Sequence, residues 1–253
     1  MDWVRGRSMP LFVMGRGSNL VVSDRGWDGA VVVLGQNLSG AAWAGNRARV
    51  QAGTRLTEFV MDAVGRGLSG IEKLAGIPGS VGGAVFMNAG AYGQEFGQCV
   101  ASVEALSCKG EARVFLPEEC GFGYRTSAFR LAGWIVLAAE VELMPADPET
   151  LRRSVKEIQA ARRDKQPLEL PNAGSLFKRP PNGFASKMVD EAGLRGFRVG
   201  DAAISEKHAG FAVNLGHATA QQVWDLSCEV IRRIEASHGV TLEREVVFLG
   251  RFD

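Results

Sequence analysis

Residues 76–93 read GIPGSVGGAVFMNAGAYG, with six glycines in 18 positions. A backbone without Cβ atoms can turn at positive φ and let another atom approach closely. Such a run is poor helix or strand interior. It suits a main-chain surface whose N–H groups face a flat or oxyanion-bearing ligand. A tight loop with no ligand is the plainer reading. A second cluster, Gly15-Arg16-Gly17-Ser18-Asn19, favours the cradle. Ser18 and Asn19 add side-chain donors beside the glycine amides, which suits a diphosphate held by loops.

Other residues narrow the chemistry. Gly15-x-Gly17 lacks the third glycine of a dinucleotide fingerprint, because Leu20 stands there. There is no phosphate loop of the nucleotide-hydrolase type. His208, His217 and His238 have no metal-ligand spacing, so no metal is expected. Ser175 lacks a nucleophile elbow and has no histidine or aspartate placed to activate it; alone it reads as a turn serine. Glu243 and Glu245 flank Arg244, and strand alternation puts both carboxylates on one face.

The elements that must position these residues follow from periodicity and turn signals. Leu11–Met14, Leu20–Ser23, Ala30–Leu34 and Arg49–Ala52 read as short strands. Thr54 is placed to cap a helix over 56–66 with Leu56, Phe59, Val60, Ala63 and Val64 on one face. Val100–Ser107, Ala112–Leu116 and Trp134–Leu143 read as an antiparallel sheet. Pro145-Ala146-Asp147-Pro148 is the best linker signal, so two domains are expected, 1–146 and 147–253. A helix over 149–166 follows, striped by Leu151, Val155 and Ile158. A short helix covers 185–192 and a strand 209–214. After Thr219 a helix puts Val223, Leu226, Val230 and Ile234 on the core and stops at Gly239. A strand over 245–250 closes the chain.

Composition sets the outer bounds. The 253 residues are 46% hydrophobic and 23% charged, as in a globular protein. A net charge of +1 gives no field for nucleic acid or membrane. No apolar stretch approaches the ~18 residues of a membrane span, and no signal peptide is visible. Cys99, Cys108, Cys120 and Cys228 form no C-x-x-C pair. They read as buried small hydrophobes in a reducing cytoplasm.

Taken together, several stretches carry a resemblance. GRGSNLVVSDRGWDGAVV, GIPGSVGGAVFMNAGAYG, FGYRTSAFR, NAGSLFKRPP, ISEKHAGFAVN and LEREVVFLG occur in order between residues 15 and 250. The chain resembles the UDP-N-acetylenolpyruvoylglucosamine reductase family, in its subclass without the inserted tyrosine loop. The resemblance implies an α+β fold: an FAD-binding domain of the vanillyl-alcohol-oxidase type, then an α/β substrate-binding domain. It implies FAD and NADPH as cofactors, a UDP-sugar substrate and a role in peptidoglycan synthesis. A relative that binds a UDP-sugar or nucleotide without catalysis is the alternative. Carried over by position, Gly15, Gly17, Ser18, Asn19 and Leu20 would hold FAD. So would Gly76, Ile77, Pro78, Gly79, Ser80, Gly82 and Gly83, with Asn88, Ala89, Gly90 and Ala91. Arg125, Ser175 and Glu245 match the family's active-site arginine, proton donor and glutamate. Tyr124, Lys165, Arg179 and His208 fall where substrate contacts are expected. One departure is visible: only 14 residues precede Gly15, fewer than the family carries. The first strand–helix unit of the flavin domain is therefore expected to be missing, leaving a strand edge and apolar surface open and weakening flavin binding.

Overall fold

The structure is a computed structural model and describes residues 6–253. The chain forms two compact units. The first takes the chain up to Gly17 and Gly29–Ala160; the second takes Ser18–Asp28 and Ala161–Asp253.

An antiparallel five-stranded sheet organises the first unit. Its order is Ala112–Phe115, Val100–Leu106, Ile135–Glu142, Arg47–Gln51, Ala41–Ala44. The central strand does not alternate cleanly, because the register shifts between Val136 and Ala138 and again between Glu140 and Val141. Between the bulges Ala138 and Ala139 pair with the consecutive residues Glu104 and Val103, and both are buried, so this stretch of strand is covered on both faces. The helix Leu56–Gly65 buries all five residues of its expected apolar face. Each of its larger core side chains contributes about 1.5–3 kcal/mol. Thr54 is not its cap. Arg55 holds that position without a side-chain bond, and the Thr54 hydroxyl instead exchanges hydrogen bonds with the N–H and carbonyl of Gly40. The close approach of Gly53 to the carbonyls of Gly35 and Leu38 draws that loop in and sets this alternative partner. Leu11–Met14 and Ala30–Val33 form a separate parallel pair. Val31, Val32 and Val33 on it are exposed.

The second unit has a four-stranded antiparallel sheet in the order Asn172–Ser175, Phe211–Asn214, Ala202–Ile204, Arg198–Val199. Against it the helix Ala220–His238 buries Leu226, Val230 and Ile234 completely, with Val223 packed beside them. Thr219 starts the helix and Gly239 ends it in the left-handed region, as expected, and Gln222 adds the second half of a capping box.

The second unit also recruits residues 18–28. Leu20–Val22 pairs in parallel with Val247–Leu249, in the register Val247↔Leu20. Ser23 reaches the carbonyl of Arg251 at 2.7 Å, and Arg25 forms an ion pair with Asp253. The compact units part inside the helix Pro148–Lys165 and at residues 17/18 and 28/29, away from the proline-rich signal at 145–148. Parallel pairing, which joins segments far apart in sequence, accounts for the cuts at 17/18 and 28/29. Cys99 and Cys120 are buried, and burial pushes their thiols up to about 12 and about 11. Cys108 and Cys228 are exposed, contrary to the expectation that all four would be buried.

Asp24 locks this recruited segment to the long helix. Its carboxylate accepts from the N–H of Ala220 at 2.9 Å and of Gln221 at 3.0 Å. Those bonds take up amides that no helix turn can satisfy and hold the carboxyl below its ordinary value of 3.8. A depressed carboxyl stabilises the fold above its unfolded pKa, and the gain is lost as pH falls through the folded value. Asp24→Ala is expected to lower unfolding free energy at pH 7 by about 1 kcal/mol, the usual loss for a helix cap. The difference from wild type should fade below pH 3.8, as read by circular-dichroism melts at both pH values.

Candidate active site

The two glycine clusters meet within the first unit. A Cβ at Gly15 would overlap the Ser80 hydroxyl, so Gly15 exists to let these segments touch. Ser80 is buried and its Oγ accepts weakly from Gly83 N–H at 3.4 Å, capping the helix Val81–Met87. Gly82 is a packing glycine: its amide bonds Ala52 at 2.8 Å, and a Cβ there would sit 2.7 Å from that of Ala52. Ile77 and Val81 likewise give their N–H groups to Leu74 and Thr54. Among the described residues, no backbone carbonyl takes up the N–H of Gly15, Arg16, Gly17, Gly76 or Gly79. All but Arg16 are half-buried. Half-buried amides without an acceptor are what an oxyanion-bearing ligand would satisfy.

Asn88 has a different role from the one expected of it. It is 1% exposed and sits at φ 43° as the left-handed end of the helix Val81–Met87. Its Nδ2 donates to Glu95 Oε2 at 2.8 Å and to the carbonyl of Gly123 at 3.0 Å. Its Oδ1 accepts from Gly97 N–H at 2.9 Å. The side chain is fully engaged by the protein, so it shapes the site and leaves ligand contact to others. Ala89 also bonds internally, to the carbonyl of Ala84. Gly90 and Ala91 pair with Glu95 and Gln94 in a hairpin whose tip, Tyr92-Gly93, has positive φ at both residues.

Arg125 stands on a matching turn. Gly123 and Thr126 bond one another in both directions, and Tyr124-Arg125 is the tip, with Arg125 at φ 54°. A left-handed arginine is strained by about 1 kcal/mol or more. Three bonds hold it there. Arg130 Nη1 donates to the Arg125 carbonyl at 2.7 Å, Ser127 Oγ donates to the carbonyl of Phe86 at 2.7 Å, and Asn88 grips Gly123. The Arg125 guanidinium reaches the carbonyl of Gly90 at 3.4 Å and lies 5.2 Å from the ring centroid of the exposed Tyr124. The positive charge is thus delivered beside the NAGA segment.

The segments that carry Ser175 and Glu245 run side by side in the second unit. Phe177 and Arg244 form an antiparallel bridge, Glu245 N–H bonds Leu176, and Lys178 N–H bonds Glu243. That register sets Ser175 one step along from Glu245 on the neighbouring chain. On its other side Ser175 pairs with Phe211, whose ring meets His208 edge-on at 5.0 Å. A bulge precedes Ser175, and Asn172 holds it: Oδ1 accepts from Gly174 N–H at 3.0 Å, while Nδ2 bonds Leu170 and Pro167. Among the described residues the Ser175 hydroxyl has no hydrogen-bond partner. Burial keeps His208 below its ordinary pKa, and Gly210 N–H donates to its Nδ1 at 3.0 Å. The ring is therefore neutral at pH 7, with its proton on Nε2.

The remaining expected residues divide. Lys165 is exposed in the last turn of the helix Pro148–Lys165, and Arg179 is exposed with its guanidinium 4.6 Å from the ring centroid of Phe184. Pro78 is exposed and Gly83 has its open face outward. Ser18, Asn19 and Leu20 lie in the second unit, not with Gly15 and Gly17. Asn19 uses its amide on the carbonyl of Glu245 at 3.0 Å. Sequence reading missed Asn172 and Asp24. The Asn-x-Gly spacing at 172–174 was a usable turn signal; nothing near Asp24 pointed to a helix almost 200 residues away.

A UDP-N-acetylenolpyruvoylglucosamine reductase of Lachnoclostridium phytofermentans is 44% identical over 247 residues, covering 96% of this chain and 80% of that protein. The chain belongs to the UDP-N-acetylenolpyruvoylglucosamine reductase family. The same-named protein of Streptococcus pneumoniae strain CGSP14 is 42% identical over 96% of this chain and 80% of its own. The crystal structure of UDP-N-acetylenolpyruvylglucosamine reductase from Thermus caldophilus superposes with a TM-score of 0.81 at 37% identity, covering 98% of this chain and 89% of that one. Residues 166–249 match the C-terminal domain of the reductase family, and residues 1–115 match an FAD binding domain. The reductase is thus an FAD-dependent oxidoreductase whose α+β fold joins these two domains.

The unpaired amides at Gly15, Gly17, Gly76 and Gly79 fit the FAD diphosphate. Gly15→Ala would press a methyl onto the Ser80 hydroxyl and displace one segment. Flavin affinity is expected to drop about tenfold, in line with an overpacking cost of about 1–3 kcal/mol. Adding Ser80→Gly makes room and should restore flavin content, read as visible absorbance per chain after purification.

Proposed function

We propose that the protein reduces UDP-N-acetylglucosamine enolpyruvate to UDP-N-acetylmuramate, with NADPH as reductant, in the cytoplasm. When bound, FAD supplies the hydride chemistry, accepting hydride from NADPH and passing it to the alkene. The glycine amides of the first unit hold it. What remains for the chain is charge and protons.

Hydride at the β-carbon of the enolpyruvyl group leaves negative charge spread onto the substrate carboxylate. Arg125 is always protonated and preset on its strained turn, so it can stabilise that charge without reorganising. The α-carbon then needs a proton. A serine hydroxyl is a weak acid, but the carbanionic carbon is a stronger base than the alkoxide it leaves, so no His–Asp relay is required. Ser175 is the donor. The observation that supports this most is its hydroxyl: among the described residues it has no hydrogen-bond partner, on a backbone fixed by Asn172 and Phe211. Glu245, from the adjoining segment, orients the substrate carboxyl region. His208 contributes a neutral Nε2–H donor, and Tyr124, Lys165 and Arg179 provide further substrate contacts. Nothing favours a non-catalytic relative, since Arg125, Ser175 and Glu245 are all retained.

Ser175→Ala separates the two halves of the cycle. Flavin reduction by NADPH should keep its wild-type rate. Reoxidation by the enolpyruvyl UDP-sugar should slow by about 10²–10⁴-fold, the range for losing a general acid. Stopped-flow traces of the flavin band measure both. Unchanged reoxidation would remove Ser175 from proton transfer.

A further inference from the structure

The segment that carries Glu245 is held from both ends of its polar backbone. Glu245 donates its N–H to Leu176 at 2.9 Å, and its carbonyl accepts from Asn19 Nδ2 at 3.0 Å. Leu242 and Val246 are buried in the core of the second unit, while Glu243 is exposed and ion-paired with Lys178. Even-numbered residues of this stretch therefore face inward and odd-numbered ones outward. Arg244 is the exception in type: a charged residue on the inward side.

Its guanidinium is fixed in three directions. Nε donates to Ser227 Oγ at 2.7 Å, Nη2 donates to Cys228 Sγ at 2.9 Å, and the group lies 4.0 Å from the ring centroid of Trp224. Two of these partners are themselves held in place. Ser227 is fully buried and gives its own proton to the Trp224 carbonyl at 2.6 Å. Trp224 stacks on Phe252 at 5.2 Å and meets the edge of Phe248 at 5.0 Å. A planar fork that also stacks can satisfy this set; an ammonium cannot. The backbone of Arg244 is meanwhile bridged to Phe177, two residues from Ser175.

We propose that Arg244 is a positioning residue for proton delivery. By fastening its own segment to the helix Ala220–His238, it fixes the register of Glu245 against the Ser175 segment and turns the Glu245 side chain away from the core. This rests on the roles given above to Glu245 and Ser175. It assigns Arg244 no contact with substrate or flavin.

The test uses the full-length FAD-loaded protein and the variants Arg244→Ala, Arg244→Lys, Glu245→Gln and Arg244→Ala/Glu245→Gln. Arg244→Ala should keep flavin content and the rate of flavin reduction by NADPH. Reoxidation by the enolpyruvyl UDP-sugar should fall about 10- to 100-fold, through kcat more than KM, as expected when a reacting group is displaced by about an ångström. Arg244→Lys should recover part of that loss. In the Glu245→Gln background, Arg244→Ala should cost less than about twofold, because the two act as one unit. Multiplying effects, or wild-type reoxidation in Arg244→Ala, would overturn the proposal. If Glu245→Gln itself reoxidises at the wild-type rate, the reading of Glu245 fails, and this inference with it. Should Arg244→Ala lose its flavin or its cooperative melt, the same non-additivity is required of Arg244→Lys, which keeps charge and stem; additive losses there would refute positioning.

Discussion

Val247 donates its N–H to the carbonyl of Asn19 at 3.0 Å, and from there Leu20–Val22 and Val247–Leu249 run side by side. Much of the second unit's geometry hangs from this parallel pair. It puts Asn19 within reach of the Glu245 carbonyl, Ser23 on Arg251 and Asp24 at the start of the long helix. A single hydrogen bond of this kind contributes only about 0.5–1.5 kcal/mol net. Their joint effect is positional: they hold an eleven-residue excursion of the chain, Ser18–Asp28, against its far end. Gly250 shows how close that approach is, since a Cβ there would sit 2.5 Å from the carbonyl of Gly26.

This constraint also marks where sequence reading stops. The helix Leu56–Gly65 was legible because its five core residues recur at helical spacing, and the helix Ala220–His238 because Thr219 and Gly239 mark its ends with chemistry that needs no distant partner. Parallel pairing leaves no such local mark. Nothing in LVV at residues 20–22 tells a strand of the first unit from one of the second. The linker signal at 145–148 was real as chain punctuation: Asp147 accepts from Thr150 N–H at 2.9 Å and starts a helix. It did not mark where packing changes, because that helix buries Leu151, Val155 and Ile158 before the units divide.

At the site, residue types were legible and their roles were less so. The glycine clusters were found by composition, yet only some of their amides remain for a ligand. Val81, Gly82 and Ile77 use theirs on the protein, which cannot be read without knowing what lies across from them. Asn88 and Asn19 look like ligand donors in a linear reading. Both amides are used to tie backbone together, Asn88 around the Arg125 turn and Asn19 beneath Glu245. A short polar side chain near a glycine turn has two outlets, and burial decides between them: at 1% exposure Asn88 must be satisfied internally.

The same division bears on the proton-donor role proposed for Ser175. Asn88, Asn172 and Ser127 have partners within the protein and fix backbone, whereas the Ser175 hydroxyl has none among the described residues. In the function proposed above, supporting polar groups that are fully bonded would not compete for the substrate's charge or shift as it develops, either around Arg125 in the first unit or around Ser175 in the second. The strain at Arg125, at φ 54°, fits this arrangement. An unconstrained arginine would leave the left-handed region, so the bonds from Arg130 and Asn88 must outweigh that tendency, and they fix the backbone from which the guanidinium extends. Rigidity of the surrounding polar network, more than acidity of any one group, is therefore what the fold supplies to the chemistry.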